Sequence, residues 1–251
     1  MMQRRKRLWL VALISIPLLA LSAQRGRRAS PGETPNPNVR YDGRFTFVRV
    51  KFSPLGGGRD LKWDHDYPTS ETHFMKILDE VSTMQPQLNG SNILSFADKE
   101  IFEYPVAYVS EPGFWTMTPD ELVGVQAYVN KGGFIIFDDF AGRHWQNFEE
   151  KWHTAFPTLV LVKLDASHPI FDSFFRIESL DMTHPYFHIK SEFWGAYQDN
   201  DPSKPLVMIA NFNNDIGDYM EFSDQQGMFP IPLTNEAYKL AVNYVVYALT
   251  H

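Results

Sequence analysis

Cysteine is absent from the 251-residue chain. That excludes disulfides, thiolate metal sites, lipid attachment through sulfur and thiol nucleophiles, and leaves core packing to hold the fold. Basic residues are a minority, 23 against 30 acidic ones for a formal charge of -7. A nucleic-acid surface needs clustered Lys and Arg and is not expected. Enzyme signatures are missing too: no HExxH occurs, Ser110 and Ser167 lack a GxSxG elbow, and no GK[ST] follows Gly56-Gly57-Gly58. What is present is 44% hydrophobic and 15% aromatic, enough for one sizeable core.

The N-terminal apolar run, Leu8 to Leu21, contains Pro17 and falls short of the roughly 20 residues of a spanning helix. Arg4-Arg5-Lys6-Arg7 precedes it and Ser22-Ala23 follows, which is the layout of a signal peptide. Leu21 is large for its place before a cut after Ala23, so a retained anchor over residues 8–21 is the alternative. The expectation is export to the periplasm or beyond, with membrane contact only through residues 1–23. Residues 24–40 carry Arg and Pro without an apolar period and read as a flexible linker. A single α/β domain is expected over 41–251.

Within it, strand and helix patterns alternate. Phe45, Phe47, Val48, Val50 and Phe52 read as a strand, and Phe74, Ile77, Leu78 and Val81 fall at helix spacing. Pro105 to Ser110 reads as a second strand. Thr118-Pro119-Asp120-Glu121 supplies a capping box with Pro at the first helical position; Leu122, Val125 and Val129 continue that helix, and Gly132 suits its C-terminus. The apolar Phe134-Ile135-Ile136-Phe137 then reads as a strand covered on both faces, central to a parallel sheet. A helix with Trp145, Phe148, Trp152 and Ala155, strands at Leu159 to Leu164 and Leu206 to Phe212, and a closing helix bearing Ala237, Leu240, Ala241, Tyr244, Val245 and Ala248 complete the pattern. The fold class is α/β, a mostly parallel sheet sandwiched by helices.

Ligands of open α/β sheets bind beyond the carboxyl ends of the strands, where Asp138 and Asp139 stand. Adjacent side chains of an extended chain diverge, so one carboxylate is expected to hold the turn and the other, Asp139, to face a cleft; the alternative is that both cap the loop. His144, just after these acids, is a lesser candidate for the same cleft. Asn213, Asn214, Asp215 and Asp218 offer short oxygen-bearing side chains to a hydroxylated ligand or hard cation, or else form turns. Their spacing matches no EF-hand loop. In Trp63-Asp64-His65-Asp66-Tyr67-Pro68, Asp64 and Asp66 flank a histidine and can orient it as a base or ligand, unless the loop only packs its aromatics. Asp139 and His65 are therefore the catalytic candidates. His168 and His184 precede prolines and read as structural turns. No cofactor or metal set is assigned; a divalent cation at the Asn213–Asp218 run is the minor alternative.

Trp63 to Pro68 with Glu71, His73 and Phe74, Phe102-Glu103-Tyr104-Pro105, Gly132-Gly133-Phe134 leading to Asp138-Asp139-Phe140, His168-Pro169-Ile170-Phe171, Asn213 to Asp218, and Asn243 to His251 together resemble the bacterial family called domain of unknown function 4159, over about residues 41–251. The resemblance implies a class I glutamine amidotransferase-like, flavodoxin-like sandwich behind a signal or membrane segment, and brings no activity. Amidotransferases of that fold use a Cys and a His; without Cys, glutaminase chemistry is excluded. The leading expectation is a noncatalytic cell-envelope module that binds a small polar ligand in its strand-end cleft or a protein partner on its surface. The alternative is a hydrolase-like enzyme, metal-assisted, using Asp and His.

Overall fold

The computed structural model describes residues 38–251; the expected signal segment and most of the expected linker lie outside them. One sheet organises the chain, with strands β1 (Val48–Val50), β2 (Asn92–Leu94), β3 (Val106–Ser110), β4 (Phe134–Phe140), β5 (Val162–Lys163), β6 (Glu192–Tyr197) and β7 (Leu206–Phe212) in the order β2-β1-β3-β4-β7-β6-β5. The first five in that order run parallel. β6 lies antiparallel to β7, and β5 antiparallel to β6. The sheet is thus mixed at one edge.

Among the described residues five α-helices flank it: α1 (Thr69–Val81), α2 (Pro119–Asn130), α3 (His144–Ala155), α4 (Ile216–Glu221) and α5 (Ile231–Thr250). Alternation along the strands explains the two layers. Phe134 and Ile136 of β4 pack with Phe74, Leu78, Tyr219 and Tyr244 of α1, α4 and α5, while Ile135 and Phe137 pack with Val125, Phe148 and Trp152 of α2 and α3. An apolar run without polar interruption is what a strand buried on both faces requires. The capping box also forms: Glu121 N–H donates to Thr118 Oγ1 (3.2 Å) and Thr118 N–H to Glu121 Oε2 (2.8 Å). Gly132 has φ 90°, the left-handed region a helix end assigns to glycine.

Several expectations change in extent. The Phe45–Phe52 strand pairs only over Val48–Val50, and Leu159–Leu164 shortens to Val162–Lys163. β2, β6 and α4 carry weak local patterns and are additional. Asn38 and Val39, expected in the linker, are tied to the sheet: the Asn38 side chain exchanges hydrogen bonds with the backbone of Ile93, and Val39 N–H donates to Asn92 Oδ1. They cover an edge strand whose backbone groups would otherwise lack partners. Among the described residues no helix is long and apolar enough to cross a membrane.

The strand order reverses between β1 and β3, since the chain leaves β1 toward β2 on one side and continues from β3 toward β4 on the other. Such a switch point opens a crevice at the carboxyl ends of the strands. The connections after β1, β3, β4 and β7 all emerge there.

Candidate functional site

Each of these connections delivers a carboxylate: Asp66 after β1, Glu111 after β3, Asp139 within the end of β4, and Asp215 with Asp218 after β7. The backbone is unusual at the same places. Lys62, Asp66, Glu111, Asp139 and Asn213 all have positive φ, between 46° and 66°, a region costly for residues with a Cβ. At β4 this coincides with a register shift between Phe137 and Phe140, a bulge that turns Asp139 away from Asp138.

The two adjacent acids have different surroundings. Asp138 is fully buried; its Oδ1 accepts from Asn211 Nδ2 (2.9 Å), and its Oδ2 accepts from Tyr108 OH (2.7 Å) and Gly217 N–H (3.0 Å). Burial raises its pKa to about 6, against the pull of those three donors. It braces β3, β7 and α4 against one another. Asp139, by contrast, brings a carboxylate oxygen within 4.8 Å of those of Asp66 and Asp215. Burial, reinforced by the negative charges of Glu111, Asp66 and Asp218, holds its carboxyl well above the ordinary range.

Neighbouring carboxyls respond in the same way. Burial, then Asp139 and Asp218, pushes Asp215 well up; burial with Asp66 and Glu221 raises Asp218 to about 8; burial with Asp66 raises Glu221 to about 7. Burial also raises Asp66, to about 6, with Arg49 and His65 opposing. Asp66 Oδ2 is buried without a hydrogen-bond partner, and a Cβ on Gly217 would sit 2.4 Å from it. Gly217 therefore leaves the room that this carboxylate occupies.

Positive charge gathers at the rim. His65 Nδ1 lies 2.6 Å from Glu111 Oε1 and 3.8 Å from Asp139 Oδ2, and Nε2 lies 2.9 Å from Asp60 Oδ1. Burial disfavours its charge, but Glu111 and Asp60 outweigh that and raise it to about 9. At neutral pH it is an imidazolium and a donor at both nitrogens, which does not suit a general base. Lys62 Nζ adds contacts to Asp60 (3.2 Å) and Glu111 (3.3 Å). Beneath them the fully buried Arg49 of β1 pairs with Glu71 and donates Nη1 to the carbonyls of Trp63 (3.1 Å) and His65 (2.8 Å). That fixes the loop carrying His65 and Asp66.

The remaining expected residues divide. Asp64 joins Asp60 and His65 at the rim. Asp215 caps α4, accepting from Asp218 N–H (2.8 Å). Asn214 is fully buried with both side-chain polar atoms unpartnered. Asn213 has a different job from the one expected: its Oδ1 accepts from Gly142 N–H (3.0 Å) and its Nδ2 donates to Lys190 O (3.3 Å), so it joins two loops. His144 packs edge-on against Phe114 with centroids 4.8 Å apart, and burial lowers its pKa. Of the aromatics on α3, Phe148 and Trp152 are core. His168 Nδ1 accepts from Ile170 N–H, as its turn role requires.

Glu111, Asp60, Lys62, Glu221 and Arg49, which carry no motif in the sequence, join these charges only in the fold, and His184, which reads there as a turn, stands beside Asp218. A crevice of about 110 Å³ lined by Gly132, Phe134, Leu206 and Tyr247 lies at the amino ends of β4 and β7, the opposite end of the sheet from these charges.

No curated protein matches the chain. Residues 46–249 match the family described as Domain of unknown function (DUF4159), over most of the 251 residues. The chain belongs to that family.

Proposed function

We propose that the chain is a noncatalytic binding module whose strand-end cleft captures the positive charge of a small polar ligand, either a cation or an ammonium-bearing molecule. The supporting observation is the meeting of Asp66, Asp139 and Asp215, from three separate segments, within 4.8 Å. Carboxylates so close raise one another's proton affinity, because their repulsion is relieved only when positive charge arrives. A ligand cation supplies that charge. The left-handed backbone at Asp66, Glu111 and Asp139 fits a site held in a strained geometry for binding.

The test is thermal denaturation of the full chain against divalent ions, amines, amino acids and sugars, since a ligand of the native state raises its Tm. A cationic compound should raise it, and Asp139→Asn should remove the shift. If no compound in the panel shifts either protein, the reading is wrong. The hydrolase-like alternative places Asp139 as base toward bound water and is supported by that residue's high proton affinity; His65, engaged at both nitrogens, contributes charge instead.

We also infer export, on the strength of Arg4 to Arg7 and the apolar run from Leu8. Residues 1–40 fused to a reporter that works only outside the cytoplasm should give activity; a silent fusion with a working cytoplasmic control would refute export. An amidotransferase-like ancestry is in keeping with five parallel strands covered on both faces.

A further inference from the structure

Buried polar atoms normally have partners, and His184 breaks that rule beside Asp215 and Asp218. Its side chain is enclosed by Tyr186, Phe187, Tyr219 and Phe229, with ring centroids 4.8 to 5.5 Å away, and the residue has no exposed surface. Nε2 has no hydrogen-bond partner. It stands 3.9 Å from Asp218 Oδ2, and a carboxylate oxygen of Asp215 completes a group within 4.8 Å.

We propose that His184, Asp215 and Asp218 hold a first-row transition-metal ion such as Mn²⁺, an inference that rests on the cation-capturing reading of the cleft and makes it specific. Ligands on one ion at about 2.0 to 2.4 Å lie no more than about 4.8 Å apart, which this group satisfies. A nitrogen donor beside two carboxylates favours transition metals over Ca²⁺ or Mg²⁺, which prefer oxygen alone. Nδ1 accepts a long bond from Tyr186 N–H (3.4 Å), so the ring proton moves from Nε2 to Nδ1 when the metal binds, and that weak bond is given up. The Asp215 carboxylate is held by Asp218 N–H, which restricts its orientation as outer-shell hydrogen bonds do in metal sites. Asp66 and Asp139, which this group does not use, remain for the ligand.

The experiment is Mn²⁺ binding to the chelator-treated full chain, followed by electron paramagnetic resonance. One ion should bind despite about a hundredfold excess of Ca²⁺ and show nitrogen coupling from an imidazole. His184→Gln should remove the coupling and weaken binding by at least about tenfold. Asp218→Asn should weaken it similarly, and carries the test should His184→Gln fail to fold. Binding without nitrogen coupling, or with unchanged affinity in the variants, overturns the proposal. If Mn²⁺ does not bind but Ca²⁺ or an amine raises Tm, the metal site falls and the cleft reading stands; if nothing binds, both fall.

Discussion

Asp138→Ala separates the acid that builds the cleft from the acid that uses it. The substitution strips an acceptor from three buried donors, Tyr108 OH, Asn211 Nδ2 and Gly217 N–H. They come from β3, β7 and α4, and Asn211 Oδ1 in turn accepts from Tyr244 OH of α5 (2.8 Å), so one carboxylate ties two neighbouring parts of the sheet to two helices. An orphaned buried donor costs about 1 to 3 kcal/mol. Even at the lower value the three sum to about 3 kcal/mol, a large part of a typical stability of about 5 to 15 kcal/mol. Asp138→Asn should be far milder. Its carbonyl can keep Tyr108 and Gly217, while its amide is served by a flip of Asn211, after which the Tyr244 hydroxyl rotates to accept; the cost is about 1 kcal/mol or less. Urea denaturation at equal m-values measures both. A loss under about 1 kcal/mol for Asp138→Ala, or equal losses for the two variants, would refute the bracing role.

Gly217→Ala places a Cβ 2.4 Å from Asp66 Oδ2, 3.0 Å from Tyr108 OH and 3.2 Å from Asp215 Oδ1, so the unliganded Tm should fall as the Asp138 brace is disturbed and ligand-induced Tm shifts should shrink as well; an unchanged ligand shift would count against Asp66 as a contact. For His65 the folded pKa of about 9 exceeds the ordinary 6.5, so its contribution is fully present below pH 6.5 and is lost as pH rises toward 9. The loss in metal-free protein is at most about 3 kcal/mol; His65→Gln should flatten that part of the stability profile, and an unaltered slope would show that Glu111 and Asp60 do not hold the imidazolium. Removal of residues 236–251 takes away the buried Ala237, Leu240, Val242, Tyr244 and Val245 and should leave an insoluble product. A soluble truncated chain with an unchanged Tm would make α5 peripheral.

What the sequence reveals about this site follows the range of the forces involved. The start of α2 was readable because Thr118 and Glu121 satisfy each other within one turn, and β4 because four apolar residues alternate between two cores. The divergence of Asp138 and Asp139 was readable too, although a bulge with a left-handed Asp139 accomplishes it rather than plain strand alternation. The edge strands were not. β6 mixes buried and half-buried positions, and its antiparallel direction is set by pairing with β7, which no local pattern encodes. α4 was hidden because Asp215, its N-cap, belongs to an Asn- and Asp-rich run that suits turns equally well. The site itself is the most non-local feature. Asp66 and Asp215 are far apart in sequence, and only the strand order at the β1/β3 switch, with Arg49 pinning the intervening loop, brings them together. A histidine before proline reads as a turn, and His184 is one; its second nitrogen acquires meaning only from Asp215 and Asp218 folded beside it. Charges that the sequence spreads over four loops therefore meet because those loops share one end of the sheet.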